Sequence, residues 1–208
     1  GFDPDHPGLG RALQAAREAR VDRAERITAR LTELGVPVTM DSVREIAGIG
    51  AVGRPHVARA LLEAGHVTSI RDAFDLYLGD GKPACEPKDT FDPATAIDLV
   101  HRAGGVAVAA HPGVNGGPQE LVPLLALGLD GVEVRHPNHG RNSQEAFDEF
   151  ARIHGLLRTG GSDFHGPRLA GLGVGTVSIP RDWWDDLERG IQEKRAGAAG
   201  PRVVPEES

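Results

Sequence analysis

The sequence predicts an α/β chain, with parallel strands joined by helical crossovers and a separate all-helical module ahead of them. Two observations carry that prediction. From about residue 90 onward, short apolar runs of strand length alternate with helical stripes, whereas residues 9 to 80 hold helix after helix without a clear strand. The polar residues His111, Glu133, Asp163 and His165 also fall at or just after the ends of the expected strands, where parallel α/β architectures gather their ligands.

Bulk composition narrows the function classes. A chain of 208 residues buries a real core, and a formal net charge of -7 argues against a general nucleic-acid coat protein. The single cysteine, Cys85, excludes an internal disulfide framework and suits a reducing, cytoplasmic compartment. No stretch is apolar enough for a membrane span, so neither a membrane partner nor a stable duplex nucleic-acid partner is expected. Residues 1–8 read as a lead-in from a longer chain.

Along the helical module, residues 9–88, the first helix is expected from Leu9 to Leu34. Leu13, Ala16, Ala24, Ile27, Leu31 and Leu34 form its apolar stripe, and Gly35 with Pro37 ends it. Its arginine-bearing opposite face reads as solvated, with i,i+4 ion pairs. Ser42 to Glu45 has capping-box spacing for a second helix. Gly53-Arg54-Pro55-His56 opens a third, with proline in its first turn. Arg54 and His56 sit at the positive end of that helix and are candidate substrate-phosphate contacts, with local capping as the alternative. Ser69 to Leu78 is a fourth short helix.

The second part, residues 89–195, opens with Asp92-Pro93, an N-cap and N1 proline for a helix that Gly104-Gly105 stops. Val106 to Ala110 is the first strand, Leu129 to Val134 the second, and Leu156-Leu157 begins the third. Helices are expected over Pro118–Leu127 and Ser143–His154. A final strand is expected from Gly171 into Ile179, then a closing helix from Asp182, then a frayed tail over residues 196–208.

Asp163 and His165, two apart in a glycine-flanked turn, can face one ligand, and carboxylate with imidazole is a normal transition-metal donor set. His111, before Pro112-Gly113, is the second candidate metal-ligand position, with a turn cap as its alternative. Glu133 is a candidate substrate contact; ligation, orientation of a ligand, or pairing with Arg135 stay open. His136 and His139 are candidates for substrate contact or proton transfer, against simple surface polarity. His101 and His154 read as structural.

Three motifs together, Gly104 to Gly113, Gly131 to Val134 and Gly160 to Gly166, resemble the PHP (polymerase and histidinol phosphatase) superfamily of metal-dependent phosphoesterases, in the branch similar to bacterial TrpH/YciV proteins. The resemblance runs through Gly53–Leu61 and Phe74–Leu78 and reaches about residue 180. It implies a distorted (β/α)7 barrel with two or three divalent metal ions (Mn, Zn, Fe or Mg) at its carboxyl rim. His111, Asp163 and His165 would be among the ligands, and residues 9–88 would form a helical insertion. The implied activity is 5'-3' exoribonuclease on short RNA, phosphatase on nucleoside 3',5'-bisphosphates, or both. The family's opening His-x-His strand and its further Asp, His, Glu and His ligands have no counterpart here, since His6 is the only histidine before Arg54. The chain therefore resembles the C-terminal part of such a protein. A non-catalytic nucleotide- or protein-binding fragment and an amidohydrolase-like metallohydrolase are the other readings.

Overall fold

A computed structural model of the chain describes residues 2–87, 91–114, 116–164 and 173–198. The chain divides into two units, Gly10–Thr90 and a second made of Gly1–Leu9 with Phe91–Ser208.

The helical unit contains α1 (Pro7–Glu33, which begins in the other unit), α2 (Met40–Ala47), α3 (Arg54–Glu63) and α4 (Ile70–Ala73). Ala24, Ile27 and Leu31 of α1 bury against Val43, Val57, Ala58 and Leu61, so the apolar stripe does its work only in the second half of that helix. Leu13 and Leu34, expected on the buried stripe, are exposed. The cap of α2 is Thr39 rather than Ser42: its side chain accepts from the Ser42 amide, so the helix opens three residues earlier than the capping-box spacing suggests. After α4 the chain widens into one π turn, Phe74–Leu78, closed by the Gly79 amide donating to the Phe74 carbonyl, and Leu78 is fully buried.

The second unit contains α5 (Pro93–Arg102), β1 (Val108–Ala109), α6 (Val122–Leu125), β2 (Gly131–Arg135), α7 (Arg141–His154), β3 (Leu157–Gly160) and α8 (Arg181–Ala198), with 3-10 turns at Pro112–Val114 and Pro118–Leu121. Asp92 caps α5 by accepting from the Thr95 amide, as its Asp-Pro opening predicts. The three strands are parallel, in the order β1-β2-β3. Phe147 and Phe150 of α7 cover the sheet with Val132, Val134, Leu129 and Trp183. Fully burying the Phe147 side chain alone stabilises the unit by about 1.5–3 kcal/mol.

The expectation of a distorted (β/α)7 barrel does not hold. A barrel needs every strand paired on both sides, whereas only β2 has two neighbours among the described residues and the sheet stays open. The final strand expected over residues 171–179 is also not formed in its described part, residues 173–179, where the chain turns and bends over 174–177 and pairs with no strand. That segment is held by other means: Arg135 donates from its guanidinium to the Ser178 carbonyl at 2.7 Å, and Ile179 packs on the core.

The register between β2 and β3 shifts between Glu133 and Arg135, an irregularity at the carboxyl end of both strands. Gly160 is required there, because a Cβ on it would lie 2.7 Å from both the Cβ and the carbonyl oxygen of Arg135.

Candidate functional site

The carboxyl ends of the three strands bring His111, Glu133, His136, His139 and Asp163 together. His111 leaves β1 with φ +36° and Asp163 follows β3 with φ +51°, and these are the only two non-glycine residues with positive φ among the described residues. That conformation costs of order 1 kcal/mol or more for such residues and persists only where the surroundings enforce it. For His111 the enforcing group is visible. Its backbone amide donates to Glu133 Oε2 at 2.6 Å.

Two residues on, the Gly113 amide donates to His139 Nε2 at 3.0 Å. A Cβ at position 113 would stand 2.8 Å from that nitrogen and 2.8 Å from Ser143 Oγ, so only glycine lets the turn approach so closely. His139 is buried, and its Nδ1 lies 2.9 Å from the Val134 carbonyl oxygen. Because Nε2 accepts, Nδ1 must carry the hydrogen and donate, which fixes a neutral tautomer. The ring also stacks on Phe147, centroid to centroid at 5.3 Å.

His136 is equally buried and differently held. Its Nδ1 accepts from the Asn138 amide at 3.1 Å, so in the neutral ring Nε2 carries the hydrogen. That Nε2 lies 3.4 Å from Asp163 Oδ2, a separation without hydrogen-bond geometry. Buried polar atoms are normally paired, and His136 Nε2 and His111 Nδ1 both have no hydrogen-bond partner among the described residues. The two rings are 5.6 Å apart.

Glu133 is not paired with Arg135, whose guanidinium turns to the Ser178 carbonyl and over the Trp183 ring. His165 lies outside the described residues. Arg54 and His56 belong to the helical unit. There, Arg54 bonds the Leu78 carbonyl and the Asp80 carboxylate, and His56 Nδ1 accepts from the Gly53 amide in a capping box. Asn138, Gly113 and Ser143 are the site residues that sequence reasoning missed. The Pro-Gly after His111 was the available signal, since glycine beside an expected ligand marks a close approach.

No family model matches the chain. The chain is 34% identical over 201 residues to a 3',5'-nucleoside bisphosphate phosphatase of Chromobacterium violaceum, covering 92% of this chain and 70% of that protein. A solved structure from Bifidobacterium adolescentis, assigned by inference as a metal-dependent phosphoesterase, superposes with a TM-score of 0.79 at 32% identity, over 91% of this chain and 68% of the other. The chain belongs to this family of metal-dependent phosphoesterases. A 5'-3' exoribonuclease of Escherichia coli is 36% identical over 171 residues, 80% of this chain but only 58% of that protein.

Imidazole and carboxylate, the side-chain types gathered at these strand ends, are the donor types that transition metals and zinc take. His111 Nδ1 has no hydrogen-bond partner among the described residues, and the His136 ring lies between the His111 ring, 5.6 Å away, and Asp163 Oδ2, 3.4 Å from His136 Nε2. No group of three or more His, Cys, Asp or Glu side chains placed to hold a metal ion occurs among the described residues. His136 does not fit as a ligand in its present tautomer, because its free nitrogen carries the hydrogen. Among the described residues, no helix is long and apolar enough to cross a membrane.

Proposed function

We propose that the protein hydrolyses nucleotide phosphates as a PHP-superfamily phosphoesterase of the TrpH/YciV-like branch, acting on nucleoside 3',5'-bisphosphates and on the 5' end of short RNA. The observation that most supports this is the pair of buried imidazole nitrogens, His111 Nδ1 and His136 Nε2, that have no hydrogen-bond partner among the described residues, at one end of a parallel sheet with His136 Nε2 3.4 Å from Asp163 Oδ2. Relatives named for these two activities supply the substrate class.

His111 and Asp163, with His165, would hold two or three divalent ions (Mn, Zn, Fe or Mg). When bound, these supply Lewis acidity that offsets the negative charge gathering on phosphoryl oxygens. The chain's own contribution is positional and electrostatic. His136 presents an N–H from a buried ring whose other nitrogen is fixed by the Asn138 amide. A donor aimed this way stabilises developing negative charge without reorganising during the reaction. It is not a proton donor as held, since losing the Nε2 hydrogen would leave an imidazolate. His139 is no proton carrier either as held, because its Nδ1 hydrogen is engaged by the Val134 carbonyl and its Nε2 by the Gly113 amide. Glu133 holds the His111 backbone through its Oε2.

The test is hydrolysis of a nucleoside 3',5'-bisphosphate and of a short 5'-phosphorylated RNA by the Mn²⁺-supplemented protein. His136→Ala should lower kcat about 10²- to 10³-fold, while His136→Gln, which keeps an N–H, should lose distinctly less. A wild-type protein that hydrolyses neither compound, or a His136→Ala variant with full activity, contradicts the proposal.

A further inference from the structure

We propose that Glu133 and His139 form one two-point latch on the His111-Pro112-Gly113 turn, and that both are positioning residues rather than ligands or proton carriers. The inference rests on reading His111 as a metal ligand. It names two residues that would set how well that ligand is presented.

The observations are independent of one another. Glu133 Oε2 takes the amide of residue 111 and His139 Nε2 takes the amide of residue 113, so two side chains grip alternate amides of one tight turn. Both come from the same end of β2. Glu133 lies within the strand, and His139 is tied back to it through the Val134 carbonyl. Between them, the gripped residue 111 holds a positive φ that an unrestrained histidine rarely adopts. Glycine at 113 clears the space that the His139 ring occupies, and stacking on Phe147 and the Gln144 bond to the His139 carbonyl fix that ring and its backbone. The far edge of Glu133 lies near the third strand's exit as well, with Oε1 3.6 Å from where a Cβ of Gly161 would be. Every hydrogen-bonding nitrogen of His139 is thereby used on backbone, which leaves orientation of the turn as its available role. Groups that hold a ligand in place typically change metal affinity 10- to 100-fold when removed.

The experiment uses the intact protein with Glu133→Ala, Glu133→Gln, His139→Ala and the double alanine variant. Amide hydrogen exchange at His111 and Gly113 is followed by NMR, and Mn²⁺ affinity by calorimetry. Glu133→Ala and His139→Ala should each speed exchange at both amides and weaken Mn²⁺ binding about 10- to 100-fold. The double variant should be little worse than either single one, because the turn is released once. Glu133→Gln keeps an acceptor oxygen and should restore slow exchange and most of the affinity.

If Glu133→Gln binds Mn²⁺ as poorly as Glu133→Ala while keeping slow exchange, Glu133 acts by its charge and the positioning role is overturned. If each single variant loosens only its own amide, there is no joint latch. If wild type and variants alike bind no Mn²⁺ while the amides remain coupled, the turn is latched but His111 is not a ligand, so the metal reading fails separately from the latch.

Discussion

The two ends of the three-stranded sheet use the same parts for opposite ends. At the amino end, Asp130 precedes β2 and its Oδ2 takes the Ala107 amide at 2.7 Å, much as Glu133 takes the His111 amide at the carboxyl end. Around Asp130 every polar demand is met: His101 Nε2 lies 2.6 Å from its Oδ2, and Lys194 Nζ 2.7 Å from its Oδ1. Around Glu133 the neighbouring imidazoles keep two buried nitrogens without hydrogen-bond partners among the described residues. A satisfied carboxylate–histidine cluster fastens elements together, here the ends of α5 and α8 to the start of β2. An unsatisfied one keeps its desolvated atoms for something else. Histidine beside carboxylate therefore does not identify a site; the bookkeeping of its nitrogens does.

The largest effects should separate the two ends. His111→Ala should abolish most phosphoesterase activity, by 10³-fold or more, yet change stability by less than about 1 kcal/mol, because the Nδ1 it removes has no hydrogen bond to lose among the described residues. Asp130→Ala should do the reverse. It leaves the buried Ala107 amide unpaired and frees His101 and Lys194, costing about 2–3 kcal/mol in denaturant unfolding, with kcat per folded molecule unchanged. Lys194 is about one third exposed and recovers water, which keeps that figure low. Equal behaviour of the two variants would erase the contrast.

A smaller effect sharpens it through pH. Burial pushes the Asp130 carboxyl up, but the Lys194 ammonium, the Ala107 amide and His101 outweigh it, so it titrates below its ordinary value of 3.8. A carboxyl lowered on folding contributes stability that is fully present above its unfolded value and is lost as pH falls through the folded one. The stability gap between wild type and Asp130→Asn should accordingly hold from neutrality to about pH 5 and narrow below pH 4. A gap independent of pH down to 3 would mean that Asp130 is held without its cations.

The sequence made the strand ends legible because the alternation of apolar runs and helical stripes locates them without knowing how the sheet closes. That alternation, with the glycine-flanked Asp-x-His turn, puts His111 and Asp163 at strand ends, where the structure has them. Closure was another matter: three strand-length runs do not determine a barrel, and the (β/α)7 expectation came from resemblance rather than from these residues. The roles of Glu133 and His139 were out of reach for a different reason. Each depends on a hydrogen bond to a backbone amide 22 to 26 residues away, and no side-chain pattern announces which amide a turn will present. The amino-end clamp was half visible, since His101 read as structural but its partners Asp130 and Lys194 lie in two other elements. Thr39 outcompeted Ser42 as a cap because capping depends on where the extended residue falls, which spacing alone does not fix.

The most direct measurement is Mn²⁺ bound per chain by equilibrium dialysis, for wild type, His111→Ala, Asp163→Ala and Asp130→Ala side by side. A metal centre at the carboxyl end predicts that wild type and Asp130→Ala retain the same number of ions, and that His111→Ala and Asp163→Ala each lose at least one. Unchanged binding in both carboxyl-end variants, or no binding by folded wild type, would contradict it.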